Sequence, residues 1–130
     1  MQVLFVEDDA MNRRVVRDML KVVGAQMNEA PDAETGLSMI DSEDFNIVLM
    51  DLRMPGMDGL TAIRHLRARG DSKATLPVIV VTADTAIDLR ERCMASGADE
   101  VILKPVAMGA LLSAMGRMVA KAEGGDVVLS

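Results

Sequence analysis

The chain has 130 residues, half of them hydrophobic, and a formal net charge of −6. That length suits one domain with a real core and is too short for a second folded module, while the acidic balance excludes the basic stripe that a nucleic-acid-binding surface needs. Cys93 is the only cysteine, which excludes an internal disulfide and a cysteine-based zinc site and makes a reducing, cytoplasmic setting the expectation. Met1 leads at once into a strand-like run and then into acids, so no signal peptide is expected, and no apolar stretch approaches membrane-spanning length. With no Trp or Tyr and only Phe5 and Phe45, the core must be filled by Val, Ile, Leu and 12 Met, an adaptable set.

Val3 to Val6 is an apolar run, predicted as a strand, that ends in Glu7-Asp8-Asp9. Met11, Val15, Met19 and Val23 then recur every four residues, with Val16 and Leu20 beside them, predicting an amphipathic helix stopped by Gly24. Ala25 to Glu29 is short and half polar and reads as a weak edge strand. Asp32, after Pro31, caps a helix running to about Asp41 with Leu37 and Ile40 inward, although Gly36 weakens that reading. The strongest strand is Asn46 to Met50, an apolar run that suits burial on both faces of a parallel sheet. It delivers Asp51 to a Pro/Gly loop, and taken alone an acid there simply opens a turn.

Leu60, Ile63 and Leu66 form a helical stripe whose other side carries Arg64, Arg67 and Arg69. Gly70 to Lys73 is a solvent loop, and Val78 to Val81 is another continuous apolar strand, ending in Thr82-Ala83-Asp84. Ala86, Leu89 and Cys93 mark a helix closed by Gly97; Val101 to Leu103 is the last strand, ending in Lys104-Pro105. Met108, Leu111, Leu112, Met115, Met118 and Val119 line a final helix that Gly124 and Gly125 end, so the expected domain is 1–123 and 124–130 a short flexible tail. Strands alternating with helices imply an α/β fold of βαβ units, with a parallel sheet and helices on both faces.

In such a sheet the polar groups that directly follow the strands, Glu7, Asp8, Asp9, Asp51, Thr82 and Lys104, gather at one edge, where ligands of open parallel sheets bind. Clustered carboxylates with no His or Cys nearby form a hard-oxygen site suited to Mg²⁺. A lysine ammonium and a hydroxyl opposite the metal suit the oxygens of a transferring phosphoryl group, and Asp51 at the centre would be the nucleophile that forms an acyl phosphate.

With these residues in place the chain resembles the receiver domains of two-component response regulators. The resemblance is carried by Phe5-Val6-Glu7-Asp8-Asp9, Met50-Asp51-Leu52-Arg53-Met54-Pro55-Gly56-Met57-Asp58-Gly59, Val81-Thr82-Ala83, Gly97-Ala98-Asp99 and Lys104-Pro105, in order across the chain. It implies a flavodoxin-like five-stranded sheet of order 2-1-3-4-5 and phosphorylation of Asp51, with Mg²⁺, by a histidine kinase or histidine phosphotransfer protein. It also implies Asp8 as a direct metal ligand, Glu7 as a water-mediated one, and the Arg53 carbonyl completing the protein's share. Thr82 resembles the hydroxyl that closes on the phosphoryl group, Lys104 the ammonium that pairs with it, and the Lys104-Pro105 bond is one that is often cis. Asp9 lies one position past the acidic pair and reads as a helix N-cap.

One departure concerns output: an aromatic residue usually stands three positions before the lysine, and here that position is Val101. Phosphorylation chemistry is expected to survive, with weak coupling to the partner face formed by the fourth helix, fifth strand and fifth helix. Arg53 and Asp84, two residues beyond Asp51 and Thr82, are expected to pair across the mouth of the site. His65 reads as a surface histidine and Cys93 as an inward one. The leading expectation is a stand-alone signalling domain, not an enzyme, that works by protein contact or as a phosphate shuttle or sink, with no direct nucleic-acid contact and no membrane insertion. The alternatives are a Mg²⁺-dependent phosphatase of haloacid dehalogenase type, which would need an acid where Arg53 stands, and a phosphorylation-independent pseudo-receiver.

Overall fold

A strand that carries four consecutive apolar residues is stable only where both faces of its sheet are covered, and three of the strands are of that kind. In the computed structural model, which describes residues 1–128 and the side-chain surroundings of residues 1–120, the elements follow one another as β1 (Gln2–Val6), α1 (Ala10–Val22), β2 (Gln26–Ala30), α2 (Ala33–Ser42), β3 (Ile47–Asp51), α3 (Gly59–Arg67), a 3₁₀ turn (Ser72–Thr75), β4 (Val78–Thr82), α4 (Leu89–Ser96), β5 (Glu100–Leu103) and α5 (Met108–Val128). The strands are all parallel and lie in the order β2-β1-β3-β4-β5. β1, β3 and β4, apolar at all but one terminal position, are the three central strands, while the largely polar β2 and the short β5 take the edges. The chain winds to one side of β1 and then crosses back, so the switch point of the sheet lies between β1 and β3.

Alternation along the strands feeds two apolar layers. Leu4, Val6, Val48, Met50 and Val80 pack against Ile40 of α2, Ile63 and Leu66 of α3, and Leu89 and Cys93 of α4. Val3, Phe5, Leu49, Ile79 and Val81 face Val16 and Leu20 of α1 and Leu111, Met115 and Met118 of α5. Cys93 is buried and His65 exposed, as the sequence predicts. Among the described residues no helix is long and apolar enough to cross a membrane.

Five details differ from the sequence reading. In α1 the inward residues are Val16 and Leu20, while Met11 is 68% exposed and Val15 and Val23 are also exposed. A four-residue repeat advances about 40° around a 3.6-residue helix at each step, so a row of that period cannot keep to one face. Residues 86–88 precede α4 rather than belonging to it, and part of the Gly70–Lys73 loop enters a 3₁₀ turn. Arg67 is not a solvent arginine: its guanidinium donates to the carbonyls of Gly97 (2.8 Å), Ala74 (2.8 Å) and Leu76 (2.7 Å) and to Asp99 Oδ2 (3.0 Å). Finally, α5 continues through Gly124 and Gly125 to Val128; glycine costs a helix about 1 kcal/mol relative to alanine without forbidding it. Of the segment 124–130 read as a tail, residues 129–130 lie outside the described residues.

Two glycines are places where the fold closes on itself. Gly36 lets α2 settle on β1, since a Cβ there would lie 2.7 Å from Val6 Cγ2. Gly59, the first residue of α3, donates its N–H to the Leu52 carbonyl at 3.1 Å, and a Cβ there would lie 2.2 Å from the Asp51 carbonyl oxygen. That neighbour is backbone and cannot swing aside. Gly59→Ala is therefore expected to destabilise the protein by about 2 kcal/mol, within the usual range for overpacking. Gly116→Ala, on a helix position with nothing within 4 Å of the added carbon, is expected to gain about 0.5–1 kcal/mol. Urea unfolding followed by circular dichroism checks both signs.

Candidate functional site

Strand register builds the site. Val6 lies opposite Met50, so Glu7 leaves β1 beside Asp51, the last residue of β3. Asp51 lies opposite Val81, which puts Thr82 one step beyond it, and Thr82 lies opposite Leu103, so Lys104 follows at the next position. The Lys104 N–H donates to the Thr82 carbonyl at 2.7 Å, and the Lys104-Pro105 peptide is cis. Asp58 caps α3 by accepting from the Thr61 N–H at 2.8 Å, which holds the loop after Asp51 in place.

Glu7, Asp8 and Asp51 each bring a carboxylate oxygen to within 4.8 Å of the others. Glu7 is 1% exposed and Asp51 4%, whereas Asp8 is open to solvent. The Lys104 ammonium sits between the two buried acids, 3.0 and 3.2 Å from the oxygens of Glu7 and 3.5 Å from Asp51 Oδ1. Asn12 Nδ2 donates to Glu7 Oε1 at 3.2 Å, and the Arg53 N–H reaches Asp51 Oδ1 at 3.4 Å. Three carboxylates against one ammonium leave a formal excess of two negative charges, and every donor is oxygen. That donor set fits a hard divalent cation.

Burial pushes the Asp51 carboxyl up, Glu7 pushes it further, and Lys104 with the N–H groups of Arg53 and Leu52 pulls it partly back. The outcome is about 6, against an ordinary 3.8. For Lys104 burial acts downward, but the hydrogen bond to Glu7 and the charges of Asp51 and Glu7 outweigh it and hold the ammonium above its usual range.

Around this centre, Asp9 is the N-cap of α1, its Oδ1 accepting from the Met11 N–H at 2.8 Å, and it lies outside the acid cluster. Thr82 is 1% exposed, and its Oγ1 accepts from the Asp84 N–H at 3.1 Å. Arg53 and Asp84 meet at 3.3 Å, although the Arg53 side chain is 81% exposed. The hydrogen bond from the Ala86 N–H, and then the one from Arg53, hold the Asp84 carboxyl below its ordinary value. Val101 is half-buried and packs on the side of the sheet covered by α4. Sequence reasoning missed Asn12 and Arg13, whose contacts with Glu7 depend on how α1 returns over the sheet; the Arg13 Nη1 donates to the Glu7 carbonyl at 2.6 Å.

The sequence model of the response regulator receiver domain family matches residues 3–116. The chain is 38% identical over 111 residues to the sensor histidine kinase RcsC of Salmonella typhi, an alignment covering 85% of this chain and 11% of that protein. It is 36% identical over 115 residues to the response regulator MprA of Mycobacterium avium, covering 88% of this chain and 49% of that one. It thus spans about a tenth of the one relative and half of the other. Among solved structures, the receiver domain of the sensor histidine kinase PA1611 from Pseudomonas aeruginosa, described with a magnesium ion coordinated in its active-site cleft, superposes with a TM-score of 0.83 at 28% identity. That match covers 92% of this chain and 97% of that one.

The raised Asp51 value makes a prediction about stability. Its folded value, about 6, exceeds the 3.8 of an ordinary carboxyl, so folding favours the protonated form. The resulting stabilisation is fully present below about pH 4 and is lost as pH rises through about 6, which leaves a buried carboxylate that costs on the order of 3 kcal/mol. Asp51→Asn is therefore expected to raise the Tm by about 10 °C near neutral pH without divalent cations, with the gain fading at about pH 4. Thermal melts at the two pH values check it; an equal effect at both contradicts it.

Proposed function

The chain belongs to the response regulator receiver family, a family of phosphoacceptor signalling domains, and from that membership we propose that Asp51 is the phosphoacceptor and that Glu7, Asp8, Thr82 and Lys104 serve it. The observation that carries this reading is the Lys104 ammonium placed between Glu7 and Asp51, within 3.5 Å of both. A cation so placed holds the nucleophile ionised and lies next to the position of an incoming phosphoryl group. In the proposed reaction an Asp51 oxygen forms a bond to phosphorus as the bond to the donor's phosphohistidine nitrogen breaks, and that electron pair leaves with the imidazole. Lys104 turns from Glu7 to a phosphoryl oxygen. Thr82, which uses an oxygen lone pair to accept from Asp84, donates its hydroxyl proton to another phosphoryl oxygen. Mg²⁺ would be held by Asp8, Asp51 and the Arg53 carbonyl, with Glu7 through water, and when bound supplies charge neutralisation to the phosphoryl oxygens.

The phosphatase alternative is not favoured, because the position two residues past Asp51 holds an exposed arginine already paired with Asp84, and no acid or base for hydrolysis stands there. A pseudo-receiver would have no use for the full set of acids, threonine and lysine. The domain is 1–123 in this reading. Its donor is a histidine kinase or histidine phosphotransfer protein, its setting the cytoplasm, and its role either protein contact through α4, β5 and α5 or the carrying and draining of phosphate. With Val101 in place of a ring, the response of that face to Asp51 is weak, at or below the lower end of the about 1–3 kcal/mol usual for coupled sites.

Two outcomes are expected. The protein labels itself from acetyl phosphate only with Mg²⁺; Asp51→Asn abolishes the label and Lys104→Ala slows it about a hundredfold. Intact-mass measurement checks this, and an Asn variant that labels at the same stoichiometry sinks the assignment. Arg53→Ala and Asp84→Ala each speed loss of the phosphoryl group by no more than about fivefold, as suits an exposed ion pair worth up to about 1 kcal/mol. Following the decay of the purified phosphoprotein tests it, and unchanged rates in both would show that the pair is no gate.

A further inference from the structure

The acid pair Glu7-Asp8 stands on a short turn between β1 and α1, and its position must come from something stiffer than that turn. Four groups hold the Glu7 residue. Its N–H donates to the Ala30 carbonyl at the end of β2 (2.9 Å), its carboxylate takes Lys104 and Asn12, and its carbonyl takes Arg13 Nη1 at 2.6 Å. The last contact has consequences beyond Glu7. The peptide unit is planar, so fixing the Glu7 carbonyl fixes the plane that contains the Asp8 nitrogen and Cα, and with it the direction from which the exposed Asp8 carboxylate approaches Asp51.

Arg13 is itself anchored. Its Nε donates to Glu29 Oε1 at 3.1 Å, Arg17 grips the other oxygen of Glu29, and Glu29 stands on β2 opposite Phe5. Arg13 and Glu29 are both partly buried, with 18% and 31% of their side chains exposed, so the pair is less screened than a surface ion pair. The guanidinium is a rigid fork with donors in more than one direction; it can hold Glu29 and the Glu7 carbonyl together, which one ammonium on a flexible stem does poorly.

We infer that Arg13 is a positioning residue for the acid pair: it fixes the Glu7–Asp8 peptide in the orientation needed to hold a divalent cation, with Glu29 as its anchor. Arg13 touches none of the reacting atoms. The inference rests on the reading of Glu7, Asp8 and Asp51 as the Mg²⁺ site. Loss of such an outer contact typically weakens metal affinity by about 10- to 100-fold.

The test is calorimetric titration of the full chain with Mg²⁺, since there is no Trp to report binding, together with thermal melts. Arg13→Gln is expected to raise the Mg²⁺ dissociation constant by about tenfold. In acetyl phosphate labelling, the Mg²⁺ concentration for half-maximal rate should rise by the same factor while the rate at saturating Mg²⁺ changes by less than about twofold, since the reacting groups are intact. Glu29→Gln, which leaves the carbonyl contact but removes its charged anchor, should show a smaller effect of about threefold; it also keeps the inference testable if Arg13→Gln folds poorly. Arg17→Gln shares Glu29 but does not touch Glu7, and should stay within about twofold of the parent. An Arg13→Gln variant that binds Mg²⁺ as the parent does, or an Arg17→Gln variant that loses as much, overturns the positioning role and leaves the site reading standing. A parent protein with no Mg²⁺ binding sensitive to Asp51→Asn removes the site reading, and this inference with it.

Discussion

A carboxylate at the end of a fully buried central strand has to be given a cation, and in this protein the cation comes from the far side of the sheet. Lys104 leaves β5, two strands away from β3, and its stem spans the Thr82 terminus to bring an ammonium to both Asp51 and Glu7. Two acids so nearly excluded from solvent repel each other and lose hydration, and both effects push the Asp51 carboxyl up. The lysine opposes this without neutralising the cluster. The remaining negative charge is the property a divalent cation recognises, so what makes the site costly to fold is also what makes it able to bind.

The strand order makes the lysine's reach possible. Placing β1 and β3 side by side sets Glu7 next to Asp51, and placing β4 and β5 beyond them sets Thr82 and Lys104 in sequence along the same edge. The opposite end of the sheet is tied by another cation: Arg67 gathers the end of α3, the 3₁₀ turn and the loop before β5, and the Asp99 it holds also accepts from the Val78 N–H at 2.9 Å. That end is held by a side chain satisfying several half-buried acceptors at once. The end that carries Glu7, Asp51 and Lys104 is held instead by ion pairs between side chains.

The face proposed for partners is also held by charge. Glu100 at the start of β5 accepts from Arg90 of α4 at 2.8 Å and from Arg117 of α5 at 3.0 Å, so one carboxylate joins the three elements. Both arginines are more than half exposed, and ion pairs of that kind contribute little against solvent and salt. Next to it Val101 is half-buried and packs on the apolar layer beneath α4. The same face also presents an adaptable apolar side chain, the exposed Met94.

Much of this was legible in the residues alone. Apolar runs ending in Glu7, Asp51, Thr82 and Lys104 dictate buried parallel strands, because nothing else buries both faces of so many short segments, and a parallel sheet must then collect their ends at one edge. The N-cap role of Asp9 and the inward placement of Cys93 follow from equally local rules. Other features were decided only in three dimensions. The inner face of α1 depends on the drift of a four-residue row around a 3.6-residue helix, and the choice between Val15 and Val16 was made by the sheet beneath. Gly59 looked like an ordinary loop ending until α3 packed against the Asp51 backbone. Arg67 read as an outward cation and Arg13 drew no reading, because sequence shows their charge but not the carbonyls they meet; only tertiary packing brings those acceptors within reach.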